Sequence, residues 1–364
     1  AFVYKRNSMN WAPSAQLRSR TASAGDFFGC AVGIDEAYAL VGAYGDDEAG
    51  DCAGSAYVFR RRGERWVEES KILASDASAG DRFGVAVGIN DEHALIGASS
   101  NDHAGRGSGA AYVFRRHGRR WIEEAKLTAS DAHSGDTFGH SVSIGQEFCV
   151  VGAPHQNQDG RRAGAAYVFR LVGSRWIEDA KLTPPDPTGG DLFGYSVSLS
   201  GPYVLVGAYG DGEAGFGAGA AYVFKHTNNA WVRQAKLIAD DVAAGDLLGY
   251  SVSIAGDRAV LGAHRNSASK QQSGAAYVFQ RFGDTWLEQM KLTPRDPKAN
   301  QLFGWSVAAD ATNMAIGAQF DDHAGPRSGA SYVFRYLPGT WSAPRQPNQF
   351  HANMKRSRPL PVGD

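Results

Sequence analysis

Carboxylate and imidazole side chains recur in six polar segments, each of which follows a Gly-Ala pair. The members that we select as ligand-binding candidates are Asp46, Asp47, Asp102, His103, His155, Asp211, Asp321, Asp322 and His323. Such groups supply the oxygen and nitrogen atoms that can hold a metal ion or hydrogen bond to sugar hydroxyls. The pattern Asp-Asp-x-Ala-Gly is also typical of ordinary turns, in which an Asp side chain accepts backbone N–H bonds. Both interpretations stay open from the sequence alone.

A second group of candidates follows a recurring Phe-Gly pair, which is Leu-Gly in one copy. The residues after this pair are Cys30, Val85, His140, Tyr195, Tyr250 and Trp305. The candidates selected from this group and from the fifth polar segment are His140, Tyr195, Tyr250, His264, Arg265 and Trp305. Polar aromatic side chains can line a binding site because each combines an apolar body with a polar tip. Packing between repeats is the alternative interpretation.

Both groups are positioned by a repeat of 55 residues. The Phe-Gly or Leu-Gly pair begins at Phe28, Phe83, Phe138, Phe193, Leu248 and Phe303. Self-similarity at a fixed period indicates that each copy is one structural unit. The copies cover approximately residues 21–75, 76–130, 131–185, 186–240, 241–295 and 296–345.

Each copy predicts four short strands. In the third copy these are Phe138–Ile144, Phe148–Ala153, Gly164–Arg170 and Trp176–Leu182. The first of them alternates large and small residues, which is the period of a strand, and its small residues leave room for a neighbouring sheet. Strands one and two, and strands three and four, are joined by short turns. The 2–3 and 4–1 connections are long and emerge together on the opposite face, where we expect binding.

Four antiparallel strands per repeat predict an all-β fold, a β-propeller of four-stranded blades, because a radial arrangement protects strand edges. Residues 1–20 match strands three and four of a repeat, since Trp11 aligns with Trp66. We therefore predict a single propeller over residues 1–341 with seven blades, the alternative being six blades plus a hairpin.

Residues 342–364 form a basic, proline-rich tail. This tail could complete the closing blade, with Phe350 in place of the Phe of Phe-Gly and Val362-Gly363 in place of Gly-Ala. Its prolines argue against that assignment, because proline is poorly tolerated inside a sheet.

The residue two positions before Phe-Gly is also repeated. It is Asp26, Asp81, Asp136, Asp191 and Asp246 in the first five copies, and Gln301 in the sixth. A position so regular is poorly suited to a single active site. We predict that it caps a turn by accepting backbone N–H bonds.

Composition excludes several classes of protein. The formal charge is −1 over 364 residues, so the whole molecule has no strong attraction for nucleic acid or anionic membranes. No apolar run approaches the ~18 residues of a membrane span. The three cysteines form neither a disulfide framework nor a zinc pattern. Cys30 and Cys52 could pair in an oxidising compartment, although free thiols are the favoured interpretation.

Positive charge is concentrated in the turns between strands three and four. The arginines there are Arg60, Arg61, Arg62, Arg65, Arg115, Arg116, Arg119 and Arg120. We expect a basic face opposite the long loops, which an acidic partner or a polyanion could bind. An ordinary solvated strand end is the alternative.

The pattern FGxSVxxxxxxxxVGAP…GAAYVF resembles the FG-GAP repeat, and the copy at Phe138–Pro154 (FGHSVSIGQEFCVVGAP) is nearly complete. That repeat is found in the integrin alpha-subunit propeller and in many secreted or surface proteins, so the resemblance implies a seven-bladed propeller with an extracellular adhesion or ligand-binding role. Several blades of that family carry a calcium loop of the DxDxDGxxD kind between strands one and two. Here that connection is as short as Gly145-Gln146, too short to supply six to eight oxygens. We therefore expect no metal and no cofactor.

The sequence thus predicts a non-enzymatic module, extracellular or on the cell surface, that recognises a protein or glycan through its long 2–3 and 4–1 loops. We find no GxSxG, HExxH or phosphate-binding loop, and assign no catalytic residue. One alternative is a carbohydrate-active enzyme resembling a polysaccharide lyase, with its site at the mouth of the central channel. Another is a structural subunit that docks into a larger assembly through the basic face.

Overall fold

A computed structural model describes residues 1–7, 10–157 and 162–336, and the backbone of residues 350–351. A two-stranded sheet, the N-terminal hairpin, contains β1 (Phe2–Asn7) and β2 (Asn10–Gln16). Blade 1 contains β3 (Val32–Asp35), β4 (Tyr38–Ala43), β5 (Ser55–Arg62) and β6 (Arg65–Ile72). Blade 2 contains β7 (Phe83–Ile89), β8 (His93–Ala98), β9 (Ala110–His117) and β10 (Arg120–Leu127). Blade 3 contains β11 (Ser141–Ile144), β12 (Phe148–Ala153), β13 (Ala165–Val172) and β14 (Arg175–Leu182).

The remaining strands repeat this arrangement. Blade 4 contains β15 (Ser196–Ser200), β16 (Tyr203–Ala208), β17 (Ala220–Thr227) and β18 (Ala230–Leu237). Blade 5 contains β19 (Ser251–Ala255), β20 (Arg258–Ala263), β21 (Ala275–Phe282) and β22 (Thr285–Leu292). Blade 6 contains β23 (Phe303–Ala309), β24 (Asn313–Ala318), β25 (Ala330–Arg335) and β26 (Phe350–His351).

Each blade is an antiparallel sheet whose strands follow the order of the chain. The first strand of each blade contacts the first strand of the next, from β3 through β23. The predicted all-β propeller of four-stranded blades is therefore confirmed. The described residues form six complete blades and a small sheet, which is the second of the two predicted arrangements. In blade 3 the predicted strand boundaries agree with the structure to within three residues.

Small residues allow neighbouring blades to approach closely, as predicted. A Cβ added to Gly152 would lie 1.9 Å from the carbonyl oxygen of Gly194 in the next blade. Serines of strand one then hydrogen bond across the interface, since Ile254 N donates to Ser198 Oγ over 3.0 Å. A larger side chain at the glycine would separate the two sheets.

Aromatic residues fill the space between the blades. Phe138 and Tyr167 are fully buried, and their rings meet edge to face with centroids 5.5 Å apart. The repeated Trp packs on the preceding blade, because Trp176 Nε1 donates to Glu124 Oε2 over 3.2 Å. The repeated Trp therefore contributes to packing between the outer strands of neighbouring blades.

The N-terminal hairpin is a two-stranded sheet whose pairing resembles that of strands three and four of a blade. Its Phe2 pairs with Gln16, as Tyr57 pairs with Lys71 in blade 1. Leu17 packs against blade 1 in a cluster with Ala39, Val41, Ala43, Tyr57 and Phe59. Ile72 makes the same contacts one repeat later. The register and the contacts of this small sheet are therefore those of strands three and four in blade 1.

The opposite end of the propeller differs from one of our expectations. Phe350 pairs with Val333, and His351 pairs with Tyr332. Phe350 thus belongs to the fourth strand of blade 6 and does not begin a seventh blade. Trp341, Val362 and Gly363 lie outside the described residues.

Two smaller points concern chemistry rather than shape. Cys30, Cys52 and Cys149 are all free, as favoured from the sequence. In the part of the chain that the structure describes, no helix is both long and apolar enough to cross a membrane.

Candidate functional site

Two positions of the repeat meet on the long-loop face. The residue after Phe-Gly lies at the start of strand one, and the residue after Gly-Ala immediately follows strand two, so antiparallel pairing places them at the same edge. In blade 5 these residues are Tyr250 and His264, whose ring centroids lie 4.2 Å apart.

These positions form a continuous series of rings across blades 3 to 6, which we call the aromatic arc. Its members are His140, Tyr195, Tyr209, Tyr250, His264 and Trp305. The centroids of His140 and Tyr195 are 4.5 Å apart, and those of Tyr195 and Tyr250 are 4.9 Å apart. Tyr250 then contacts Trp305 at 5.0 Å. The structure thus brings together five of the predicted site residues.

Tyr209 is the arc residue that the sequence analysis did not select. It contacts Tyr195 at 4.6 Å and Tyr250 at 5.4 Å. It occupies the repeat position of His264, one copy earlier, so the equivalence of the two positions was the available signal.

The two histidines of the arc are neutral at physiological pH. Burial lowers the pKa of His140 to about 4, and the nearby His155 acts in the same direction. Burial and the adjacent Arg265 lower the pKa of His264 to about 4. The Nδ1 atom of His264 is buried and has no hydrogen-bond partner among the described residues. Such an atom is a potential donor or acceptor for a water or ligand.

The tyrosines of the arc are held protonated. Burial, followed by the hydrogen bond to Tyr250, raises the pKa of Tyr195. Burial also raises the pKa of Tyr250 and of Tyr209. Their hydroxyls therefore act as hydrogen-bonding groups, while phenolate chemistry is disfavoured.

Two further predicted residues border the arc. His155 is half-buried, and its Nδ1 lies 3.0 Å from Thr137 Oγ1. Arg265 is exposed and lines a cavity of about 510 Å³ with Asp241, Asn266 and Gln272 among others. Since His264 and Arg265 are consecutive, this cavity adjoins the arc on the blade 5 side.

The carboxylates of the polar segments mainly stabilise their own loops. Asp47 Oδ1 accepts the Cys52 amide over 2.8 Å, and Asp102 Oδ1 accepts the Gly107 amide over 2.7 Å. Asp322 makes the same bond to Arg327 over 2.7 Å. These bonds are the turn chemistry that was the alternative interpretation of the pattern.

Asp46, Asp211 and Asp321 are buried beneath the same loops. Each accepts a hydrogen bond from the strand-three tyrosine of its blade, as Tyr57 Oη donates to Asp46 over 3.0 Å. Lys71 adds an ion pair to Asp46 at 2.7 Å, so this carboxylate is already neutralised within the protein. The two histidines of these loops, His103 and His323, are exposed, and His323 contacts Asp321 Oδ1 through Nδ1 at 2.7 Å.

Blades 2, 3 and 5 bind their tyrosine with a different carboxylate. Tyr167 Oη donates over 2.6 Å to Asp131, which belongs to the preceding 4–1 loop. Asp76 and Asp241 do the same in blades 2 and 5. In these blades the loop position of Asp46 is occupied by an amide, as Asn101 or Gln156.

The Asp before Phe-Gly is a turn cap, as predicted. Asp81 Oδ2 accepts the Ser78 amide over 3.0 Å, and Asp136 Oδ2 accepts the His133 amide over 2.8 Å. Gln301 replaces it in the sixth copy and accepts the Lys298 amide over 2.7 Å.

The predicted basic face is formed by the 3–4 turns. Arg61, Arg62, Arg119 and Arg120 are exposed, whereas Arg60, Arg115 and Arg116 are half-buried. Arg60 lies 3.7 Å from Glu69, and Arg115 lies 3.6 Å from Glu124. Arg116 lies over the ring of Tyr38. The free positive charge therefore belongs mainly to the turn residues.

One group in the described residues has three side chains close enough to share a cation, namely Asp47, Asp51 and Cys52. Asp47 already accepts a backbone bond there, and Asp51 is exposed. Exposed acidic clusters are common in turns, and we assign no metal to this one.

The match of this chain to a known family of proteins also repeats every 55 residues. No curated protein matches the chain. The FG-GAP repeat matches six segments, residues 11–59, 66–114, 121–169, 176–224, 231–279 and 286–334. Each match starts at the Trp of strand four and ends at the Phe of strand three in the following blade. Together they cover most of the chain, which therefore belongs to the FG-GAP repeat family.

Proposed function

We propose that this protein is a non-enzymatic binding module that takes a glycan at the aromatic arc. The observation that carries the proposal is the unbroken series of ring contacts from His140 to Trp305 across four blades. An aromatic ring offers an apolar face to the C–H face of a sugar, and Tyr hydroxyls meet sugar hydroxyls at the edge. Long loops surround the arc, and loops that are held by a rigid scaffold often form binding sites.

The state of the side chains favours binding over catalysis. A lyase needs a base to remove a proton, and burial raises the pKa of Tyr195 and Tyr250 away from that role. His140 and His264 are neutral, but a pKa of about 4 makes each a weak base for removing a proton from a sugar carbon. An extracellular or cell-surface location belongs to this proposal, since a glycan ligand and the resemblance to integrin propellers are both consistent with it.

The test is a screen of the purified chain against immobilised neutral and uronic-acid oligosaccharides. We expect a hit that is lost in the double variant Tyr195→Ala, Tyr250→Ala. Phe216→Ala is the matched control, because Phe216 is an aromatic residue on the long-loop face that is 94% exposed and outside the arc. Each variant is checked for folding by circular dichroism.

Two results would contradict the proposal. Binding that survives the double variant would place the ligand elsewhere. Shortening of a bound oligosaccharide during incubation would favour the lyase alternative.

A further inference from the structure

A positive charge lies beside the aromatic arc. Arg265 immediately follows His264 of the arc and is exposed on the long-loop face. A residue that maintains the scaffold recurs from copy to copy, whereas an arginine occurs at this repeat position in one copy alone. The other copies carry Gly45, Ser100, His155, Gly210 and Phe320 there. The charge of Arg265 is therefore a feature of this one site.

The carboxylates closest to Arg265 already have partners. Arg265 lines the cavity of about 510 Å³ together with Asp241 and Asp246. Asp241 forms an ion pair with Lys291 at 2.7 Å, and buried Asp246 accepts Asn266 Nδ2 over 2.6 Å. Within the described ranges, no carboxylate forms an ion pair with the Arg265 guanidinium. A guanidinium that lines a cavity without a counter-charge is available to an anionic ligand.

The charge of Arg265 also acts on the arc itself. Burial lowers the pKa of His264 and raises the pKa of Tyr209 and Tyr250, and Arg265 favours the deprotonated form of all three. In the part of the chain that the structure describes, Arg265 is the one charged residue that shifts these three pKa values. This side of the arc is therefore a set of neutral rings beside a single positive charge.

We propose that the glycan at the arc contains a uronic acid, whose carboxylate binds Arg265 while its sugar ring lies against Tyr209 and Tyr250. This inference rests on the proposed function and names the class of glycan. The planar guanidinium offers parallel N–H donors that match the two oxygens of a carboxylate. A uronic acid carries its carboxylate on the ring, so one sugar residue reaches both the charge and the aromatic surface.

The protonation state of the tyrosines suits an acidic ligand. A phenolate would repel a carboxylate, whereas a neutral hydroxyl donates hydrogen bonds to it or to sugar hydroxyls. Burial raises the pKa of Tyr209 and Tyr250, which keeps both hydroxyls protonated. Arg265 would then supply the selection between acidic and neutral sugars.

The test uses oligomers of galacturonate, glucuronate and mannuronate, each paired with its carboxyl-reduced form, which keeps the sugar ring and loses the charge. Isothermal titration calorimetry measures their binding to the full chain. We expect at least one uronate oligomer to bind at least about tenfold more tightly than its reduced form. Arg265→Gln should reduce this preference to within about twofold. The residue is exposed, so the variant should fold.

Three controls isolate the role of the guanidinium. Arg106→Gln removes another exposed arginine of the long-loop face, in blade 2 and outside the arc, and should keep the preference. Arg265→Lys keeps the charge without the planar fork and should give an intermediate preference. Polyglutamate carries carboxylates without a sugar ring, so it should not displace the bound uronate oligomer.

The contradicting outcomes separate this inference from the proposed function. Equal binding of the uronate and reduced forms, lost in the double variant Tyr195→Ala, Tyr250→Ala, would overturn the inference and leave the proposed function intact. A preference that survives Arg265→Gln, or displacement by polyglutamate, would also overturn the inference. So would a sulfated neutral oligomer that binds more tightly than every uronate. Failure of all these oligomers to bind would contradict both.

Discussion

Tyr195 Oη donates to Tyr250 Oη over 3.1 Å, and this bond joins blade 4 to blade 5 on the long-loop face. The two hydroxyls are half-buried, so the bond has only partial competition from water. It fixes the distance between the two central rings of the aromatic arc.

The first prediction concerns this bond. Tyr195→Phe and Tyr250→Phe should each lower the free energy of unfolding by about 1 kcal/mol, because each removes a hydrogen bond while keeping the ring. The double variant should cost less than the sum, since both single changes remove the same interaction. Urea unfolding of the three variants measures the coupling. Additive effects would show that the bond contributes nothing.

A second prediction follows from the buried histidines. The folded pKa of His140 and His264 is about 4, below the usual ~6.5, so the unfolded chain binds protons first as the pH falls. Stability from each neutral imidazole is present above pH ~6.5 and is lost as the pH falls toward 4, by about 3 kcal/mol per histidine.

His264→Gln should therefore flatten the dependence of unfolding free energy on pH across that window. Urea midpoints at several pH values compare the variant with the original chain. His103→Gln, at an exposed loop position, is the matched substitution for comparison. If the unfolding free energy of the variant depends on pH as steeply as that of the original chain, His264 is charged in the folded protein.

The third prediction compares two glycines at equivalent repeat positions. Gly152→Ala should destabilise the protein by about 3 kcal/mol, because the new Cβ collides with the backbone of the next blade. Gly317→Ala meets only the Ser306 side chain, which can rotate, and should cost below about 1 kcal/mol. Thermal unfolding distinguishes the two. Equal losses of stability in the two variants would show that another part of the protein packs on Gly317 in solution.

The sequence was sufficient to predict the four strands of each blade, because the period is visible in every copy and the copies share the same strand pattern. It did not show which loop supplies the carboxylate to each strand-three tyrosine. Asp46 and Asp131 occupy different loops, and only three-dimensional proximity reveals that both reach the same hydroxyl position. The sequence analysis did not select Tyr209, because its contacts with Tyr195 depend on the packing of one blade on another.

The fourth prediction separates two adjacent carboxylates that the sequence grouped together. Asp46→Ala should lower the free energy of unfolding by about 3 kcal/mol, because the buried Tyr57 hydroxyl loses its carboxylate acceptor and Lys71 keeps only its ion pair with the exposed Glu48. Asp47→Ala removes one loop bond at an exposed position and should cost about 1 kcal/mol or less. Similar losses of stability in the two variants would show that the buried network of Asp46 contributes no more than the loop bond of Asp47.

A fifth prediction concerns the basic face. Arg119→Glu with Arg120→Glu should weaken binding of an acidic polymer such as polyglutamate, and raised salt should weaken the original chain in the same way. Arg265→Glu on the long-loop face reverses one charge elsewhere and serves as the control. Retention of each protein by the acidic polymer, measured at several salt concentrations, tests this prediction. Equal retention of the variants would exclude the basic face as a surface that binds an acidic partner.

The offset between the repeating unit and the blade has an evolutionary consequence. Each unit runs from strand four of one blade to strand three of the next, so it includes a complete junction between two blades. Gain or loss of one unit by gene duplication or deletion would therefore change the number of blades without creating a new kind of junction. Such a propeller could change its diameter through whole-unit copying, because every added junction would repeat an existing one.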